Sequence, residues 1–149
     1  NWIYAIDNKT QINVIDYGGG SGILVPHLRN LEDKLNYSFK KTIIDNAENI
    51  KIGQNNIKDL ENLEFFDYSE VKLNDVLLQG DNDGLTTVLN ISSTLQYIIP
   101  YNNFLKNLLS KTKPKVICIT RLPRCDDALS DAYGVQDISS SIDYLPLLL

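Results

Sequence analysis

Methionine is absent from all 149 residues, position 1 included, and the chain has one histidine, one tryptophan and two cysteines. A natural chain of this size ordinarily carries several methionines. The sequence therefore reads as a fragment, or as a chain from which encoded residues are missing. With Cys118, Cys125 and His27 as the whole Cys/His set, a structural zinc site lacks ligands and a disulfide framework is not expected. Both thiols read as the reduced cysteines of a cytoplasmic protein. A Ser-His-Asp triad would have to draw on His27. No apolar run approaches the roughly 20 residues that span a bilayer, and the start lacks the basic-then-apolar order of a secretory leader. Positive charge is scarce too. Against 19 Asp+Glu stand 14 Lys+Arg, a net charge of −5, which argues against a broad nucleic-acid surface.

What is present belongs to an ordinary globular protein: 43% hydrophobic and 22% charged residues. A single domain over 1–149 is expected. The β-rich run 12–17 ends in glycines, as a strand entering a tight turn does. Leu24, Leu28, Leu31 and Leu35 then recur at helical spacing, with Pro26 tolerated in the first turn. Strands are predicted at 39–45, 63–67, 85–91 and 114–120, the last two apolar enough to be buried on both faces. A sixth is expected at 133–138. Asn46 opens a short helix ending at Gly53, 74–78 forms a helical turn, and Asn102 caps a helix whose apolar face is Phe104, Leu105, Leu108 and Leu109. Strands alternating with helices imply an α/β, doubly wound, mainly parallel sheet with helices on both faces.

Asp16-Tyr17-Gly18-Gly19-Gly20-Ser21-Gly22 lies between the first strand and the first helix. Glycines there let the backbone turn sharply and let a ligand approach without a Cβ in the way. The helix start that follows offers N–H groups to the crevice above the strand ends. A dinucleotide fingerprint, G-x-G-x-x-G, fails in both registers, because Ile23 and Val25 stand where the third glycine belongs. A nicotinamide-dependent oxidoreductase is therefore the weaker reading.

The glycines instead read D-x-G-x-G-x-G, which resembles the first motif of Rossmann-like S-adenosylmethionine-dependent methyltransferases. The resemblance spans roughly residues 12–122. It implies a cofactor site at Asp16, Gly18, Gly19, Gly20 and Gly22. A carboxylate suits a ligand bearing an ammonium and a sulfonium. It further implies that Asp45 meets the ribose hydroxyls, that Asp67 lies near the adenine, and that Asn90 faces the methyl donor. Local alternatives stand beside these: Asp16 as a turn cap, and Glu48 in place of Asp45. A narrower likeness rests on the stretch from Ser92 to Ile98 followed by Pro100, on the run from Ile119 to Pro123, and on Val135-Gln136. It is to small bacterial methyltransferases associated with surface-polysaccharide biosynthesis. The family fold has seven strands, so the C-terminal end is expected to be incomplete.

Ser93, Gln96, Tyr97 and Arg121 are the candidates for the acceptor side. Otherwise the first three cap and pack the helix after the fourth strand, and Arg121 is an exposed strand-end residue. Asn90-Ile91-Ser92-Ser93 is not the N-P-P-aromatic pattern of enzymes that methylate nucleobase amines. A small-molecule or saccharide acceptor is expected, with no metal. No residue stands out as a general base, which keeps a non-catalytic binding domain as the rival reading. Trp2 and Tyr4, ahead of the first strand, read as cover for the pocket or as packing.

Overall fold

The computed structural model describes residues 11–58, 61–68, 85–98 and 100–121. The expected strand at 133–138, the helical turn at 74–78, Trp2, Tyr4 and Cys125 lie outside them. In chain order the elements are β1 (Gln11–Tyr17), α1 (Val25–Leu35), β2 (Ser38–Asp45), α2 (Ala47–Asn56), β3 (Leu63–Asp67) and β4 (Thr86–Ser92). A short 3-10 turn (Leu95–Tyr97), α3 (Tyr101–Thr112) and β5 (Val116–Thr120) follow. The five strands form one sheet in the order β3-β2-β1-β4-β5, and every pairing is parallel. The fold is α/β and Rossmann-like.

The period of two along each strand splits the core into layers. Ile15, Tyr17, Ile44, Leu89 and Ile91 share one face and bury against Leu108 of α3, with Phe104, Leu105 and Leu109 alongside. Ile12, Val14, Phe39 and Val88 share the other face and bury against Leu28 of α1. Val25 and Ile50 bring α1 and α2 onto Ile43 on that same face. Helices therefore cover both faces, as the alternating pattern implied. The strand order reverses at β1 and β4, and the crevice of a doubly wound sheet opens at that reversal.

Lys41, only 2% exposed in the middle of β2, is tolerated because it is paired. Its Nζ donates to Glu32 Oε1 at 2.8 Å and to Phe39 O at 3.0 Å. The same Glu32 oxygen accepts from Phe39 N at 2.8 Å. One carboxylate thus ties the end of α1 to the start of β2.

Four local expectations need correction. Gly53 does not end α2, which runs on to Asn56. A Cβ at Gly53 would lie 2.5 Å from the Phe65 ring and 2.9 Å from Ser21 O, so this glycine lets the helix lie close to β3 and the turn after β1. Asn102 does not cap α3; Pro100 holds the cap position, as its fixed φ suits. Leu35 is exposed and Val25 takes its place in the buried stripe, because the helix starts late and Leu35 falls in its last turn. β5 is half-exposed, since it is an edge strand, like β3, among the described residues. Among the described residues no helix is long and apolar enough to cross a membrane.

Candidate functional site

Parallel register brings the carboxyl ends of four strands together. Asp16 of β1 stands opposite Asn90 of β4, and Asp45 of β2 stands opposite Asp67 of β3. The glycine turn lies over the end of β2, with Gly18 N and Gly19 N both donating to Ile44 O at 2.8 and 3.4 Å. Gly22 N closes the turn onto Gly19 O at 3.1 Å.

Two glycines have separate reasons to be glycine. At Gly18, φ is +77° and a Cβ would overlap the side chain of Thr94. The chain leaving β4 thus packs directly on the turn leaving β1. At Gly20, φ is +60° and, among the described residues, a Cβ would meet only Ile23 Cδ1 at 3.8 Å. Among the described residues the space above Gly20 is open. A Cβ at Gly19 would lie 2.6 Å from Asp16 Oδ2, so the turn is wrapped over that carboxylate.

The two carboxylates differ. Asp16 is 3% exposed, and its Oδ1 accepts from Asn90 Nδ2 at 2.7 Å. Its pKa is raised to about 6, chiefly by burial, against the lowering effect of the Asn90 bond and with a further push from the Asp45 charge. Asp45 accepts four bonds. Its Oδ2 accepts from Gly20 N at 2.7 Å. Its Oδ1 accepts from Asn46 N at 2.7 Å, Asn46 Nδ2 at 2.9 Å and Asn49 Nδ2 at 2.8 Å. A carboxylate has about two acceptor positions on each oxygen, so three donors crowd Oδ1 while Oδ2 takes one of these four bonds. The Gly20 N–H is thus held by Asp45. Neither Asp16 nor Asp45 forms an ion pair among the described residues. Glu48 is exposed on the first turn of α2, away from these bonds.

On the other side of the crevice Ser93 and Arg121 follow β4 and β5 directly. Both have left-handed backbones, with φ of 54° and 56°. Ser93 N donates to Thr120 O at 3.0 Å, so the register of β4 and β5 places the two exits side by side. Gln96 is half-buried, and its Oε1 is buried without a partner among the described residues. Tyr97 is exposed. His27 is exposed on the first turn of α1. Cys118 has its pKa raised by burial in the edge strand. No cluster of three or more His, Cys, Asp or Glu able to hold a metal occurs among the described residues.

Sequence reasoning missed Thr94, Asn46, Asn49, Tyr17 and Tyr68 as parts of this site. Thr94 carries no local signal, because its partner Gly18 is far away in the chain. Tyr17 and Tyr68 do carry one: each directly follows a strand-end aspartate. Tyr68 N donates to Asp45 O at 3.0 Å, which extends the β2–β3 ladder and fixes Tyr68 at the crevice end.

No protein-family model and no curated protein matches the chain. Solved structures do. LepI in complex with SAM is similar with a TM-score of 0.51 and 15% identity, over 82% of this chain and 30% of that one. A structure described as a pericyclic reaction enzyme has a TM-score of 0.51 and 15% identity, over 83% of this chain and 30% of that one. This chain therefore spans about a third of the length of either neighbour. The likeness is one of fold.

Proposed function

We propose that this chain binds S-adenosylmethionine above the ends of β1, β2 and β4 and transfers its methyl group to an oxygen or nitrogen of a small or saccharide-type acceptor. The observation that carries this reading is the glycine turn flanked by Asp16, Asp45 and Asp67 on three adjacent strand ends. Carboxylates so grouped favour a cationic ligand and oppose a pyrophosphate. The space above Gly20 fits a ligand lying across the turn, and the SAM bound by LepI is consistent with it. When bound, the cofactor supplies a methyl group on a sulfonium that is already a good leaving group.

Asp16, steadied by Asn90, would hold the ammonium end. Asp45 and Asp67 would face the nucleoside, with the Asn46 and Asn49 amides giving way to ribose hydroxyls. The turn Gly18–Gly22 would provide the floor. Ser93, Gln96, Tyr97 and Arg121 would bound the acceptor side, where the work is alignment and exclusion of water. No general base is assigned. That gap favours one second reading, a domain that binds the cofactor without transferring its methyl group. The experiment is a transfer assay with methyl-labelled cofactor over alcohol, amine and sugar acceptors. Label in an acceptor supports methyl transfer, and tight binding without transfer to any acceptor supports the second reading.

A further inference from the structure

The sheet face that packs on α3 changes character along its strands. Towards the carboxyl ends it is apolar, with Ile15, Tyr17, Ile44, Leu89 and Ile91. Towards the amino ends, alternation puts Asn13 of β1, Lys40 and Thr42 of β2, Glu64 of β3 and Thr87 of β4 on that same face. Exposure does not explain the change, because Asn13, Thr42 and Thr87 are 4%, 3% and 6% exposed. Asn13 Nδ2 reaches Thr87 Oγ1 only at 3.4 Å, and Asn13 Oδ1 is buried without a partner among the described residues. Polar groups buried with so few bonds cost stability, and packing alone gives no reason for them. A cavity of about 530 Å³ opens at this end of the sheet, lined among others by Gln11, Ser38, Lys40, Asn62, Glu64 and Leu85. Its size is that of a small-molecule site. Lys40 and Glu64 are both half-buried in it. Glu64 stands level with Thr42, the next residue along β2 on the face of Lys40, so the two charges are diagonal cross-strand neighbours within reach of each other. Neither forms an ion pair among the described residues. The cavity thus offers one cation and one carboxylate, set among amides and a hydroxyl, with an apolar wall at Leu85.

We propose that this cavity, at the opposite end of the sheet from the glycine turn, binds a free amino acid with an apolar side chain. Its carboxylate pairs with Lys40, its ammonium with Glu64, and its side chain lies toward Leu85. A simple anion would leave Glu64 without a partner and a simple cation would leave Lys40 without one, whereas a zwitterion satisfies both. Gln11, Ser38 and Asn62 supply further hydrogen bonds. The inference is independent of the cofactor reading. The test is an amide NMR titration of the full chain with L-leucine, with 4-methylpentanoate, which lacks the ammonium, and with leucinamide, which lacks the carboxylate. Saturable L-leucine shifts are expected at Gln11, Lys40 and Glu64, with Gly18–Gly22 unmoved. Each analogue should bind about tenfold more weakly or worse, as the loss of one charge-assisted bond predicts. Lys40→Gln and Glu64→Gln should each weaken L-leucine by about the same factor. The analogues probe the same two charges without altering the chain, so the test survives a variant that fails to fold. No saturable L-leucine binding at millimolar concentration, shifts centred on Gly18–Gly22, or equal affinity for either analogue overturns the inference.

Discussion

Where β1 meets β2, backbone and side chains hold each other from several directions. Ile44 O takes two glycine N–H groups, and the Asp45 carboxylate gathers four donors. Where β4 meets β5, the exits are held more sparsely among the described residues. Ser93 N donates to Thr120 O, Thr120 Oγ1 donates to Ser92 Oγ at 3.0 Å in an exposed position, and both exits carry left-handed non-glycine residues. The difference teaches a division of labour. The first half is held from several directions by hydrogen bonds. The second is loosely built at an edge strand, where a site can be altered without disturbing the sheet.

The contact that joins the halves should be the most sensitive. Gly18→Ala combines a left-handed backbone with overlap against Thr94. Its expected loss is about 2–5 kcal/mol of stability in urea unfolding. A loss under about 1 kcal/mol would mean that the β4 exit shifts easily, and the two halves would not be coupled there.

Next in size is Asp45→Ala, which removes the acceptor of four donors. Charge-assisted bonds predict a loss of about 2–3 kcal/mol in stability after allowance for solvent. Affinity for S-adenosylhomocysteine should fall about tenfold or more. Asp45→Asn should fall less, since an amide oxygen still accepts. Glu48→Ala, measured alongside, should change little. The reverse order would move the ribose contact from the end of β2 to α2.

Asp16 separates stability from binding. Its folded pKa of about 6 lies above the ordinary 3.8, so the folded chain holds this proton more tightly than the unfolded one. Ionisation therefore opposes folding. The group's contribution is most favourable below about pH 4 and is lost as pH rises through about 6, by about 3 kcal/mol at most. Asp16→Asn keeps an acceptor for Asn90 and removes the buried charge. It should be about 1–3 kcal/mol more stable than wild type at pH 8, with no gain near pH 4. The same variant should bind S-adenosylmethionine more weakly. Equal stability at both pH values would show that the charge is not a burden on the fold.

The smallest effect is expected on the β4–β5 side. Ser93→Gly relieves a left-handed backbone and should stabilise by about 0.5–1 kcal/mol in thermal melts. Destabilisation instead would mean that the serine side chain holds the exit more than its backbone strains it.

The topology and the glycine turn were legible in the sequence for a physical reason. Strand patterning and D-x-G-x-G-x-G are local, and the right-handed crossover rule leaves few arrangements. The adjacency of β1 and β4, and the four acidic or amide strand ends, followed from that. The partners of the turn were not legible. Thr94 meets Gly18 only after the sheet has formed, and nothing near Asn46 or Asn49 announces that both amides turn onto Asp45. Gly53 was misread as a helix stop because a glycine that avoids a distant ring looks the same in sequence as one that ends a helix. β5 was misread as buried because a continuous apolar run looks the same in an edge strand as in a central one.

The most direct test of the central claim is calorimetry of the wild-type chain at pH 7.5 with S-adenosylhomocysteine and with NAD. Binding of the first and none of the second is predicted, from a turn that carries carboxylates and lacks the third glycine of a dinucleotide site. Binding of NAD alone, or of neither ligand, would contradict the account.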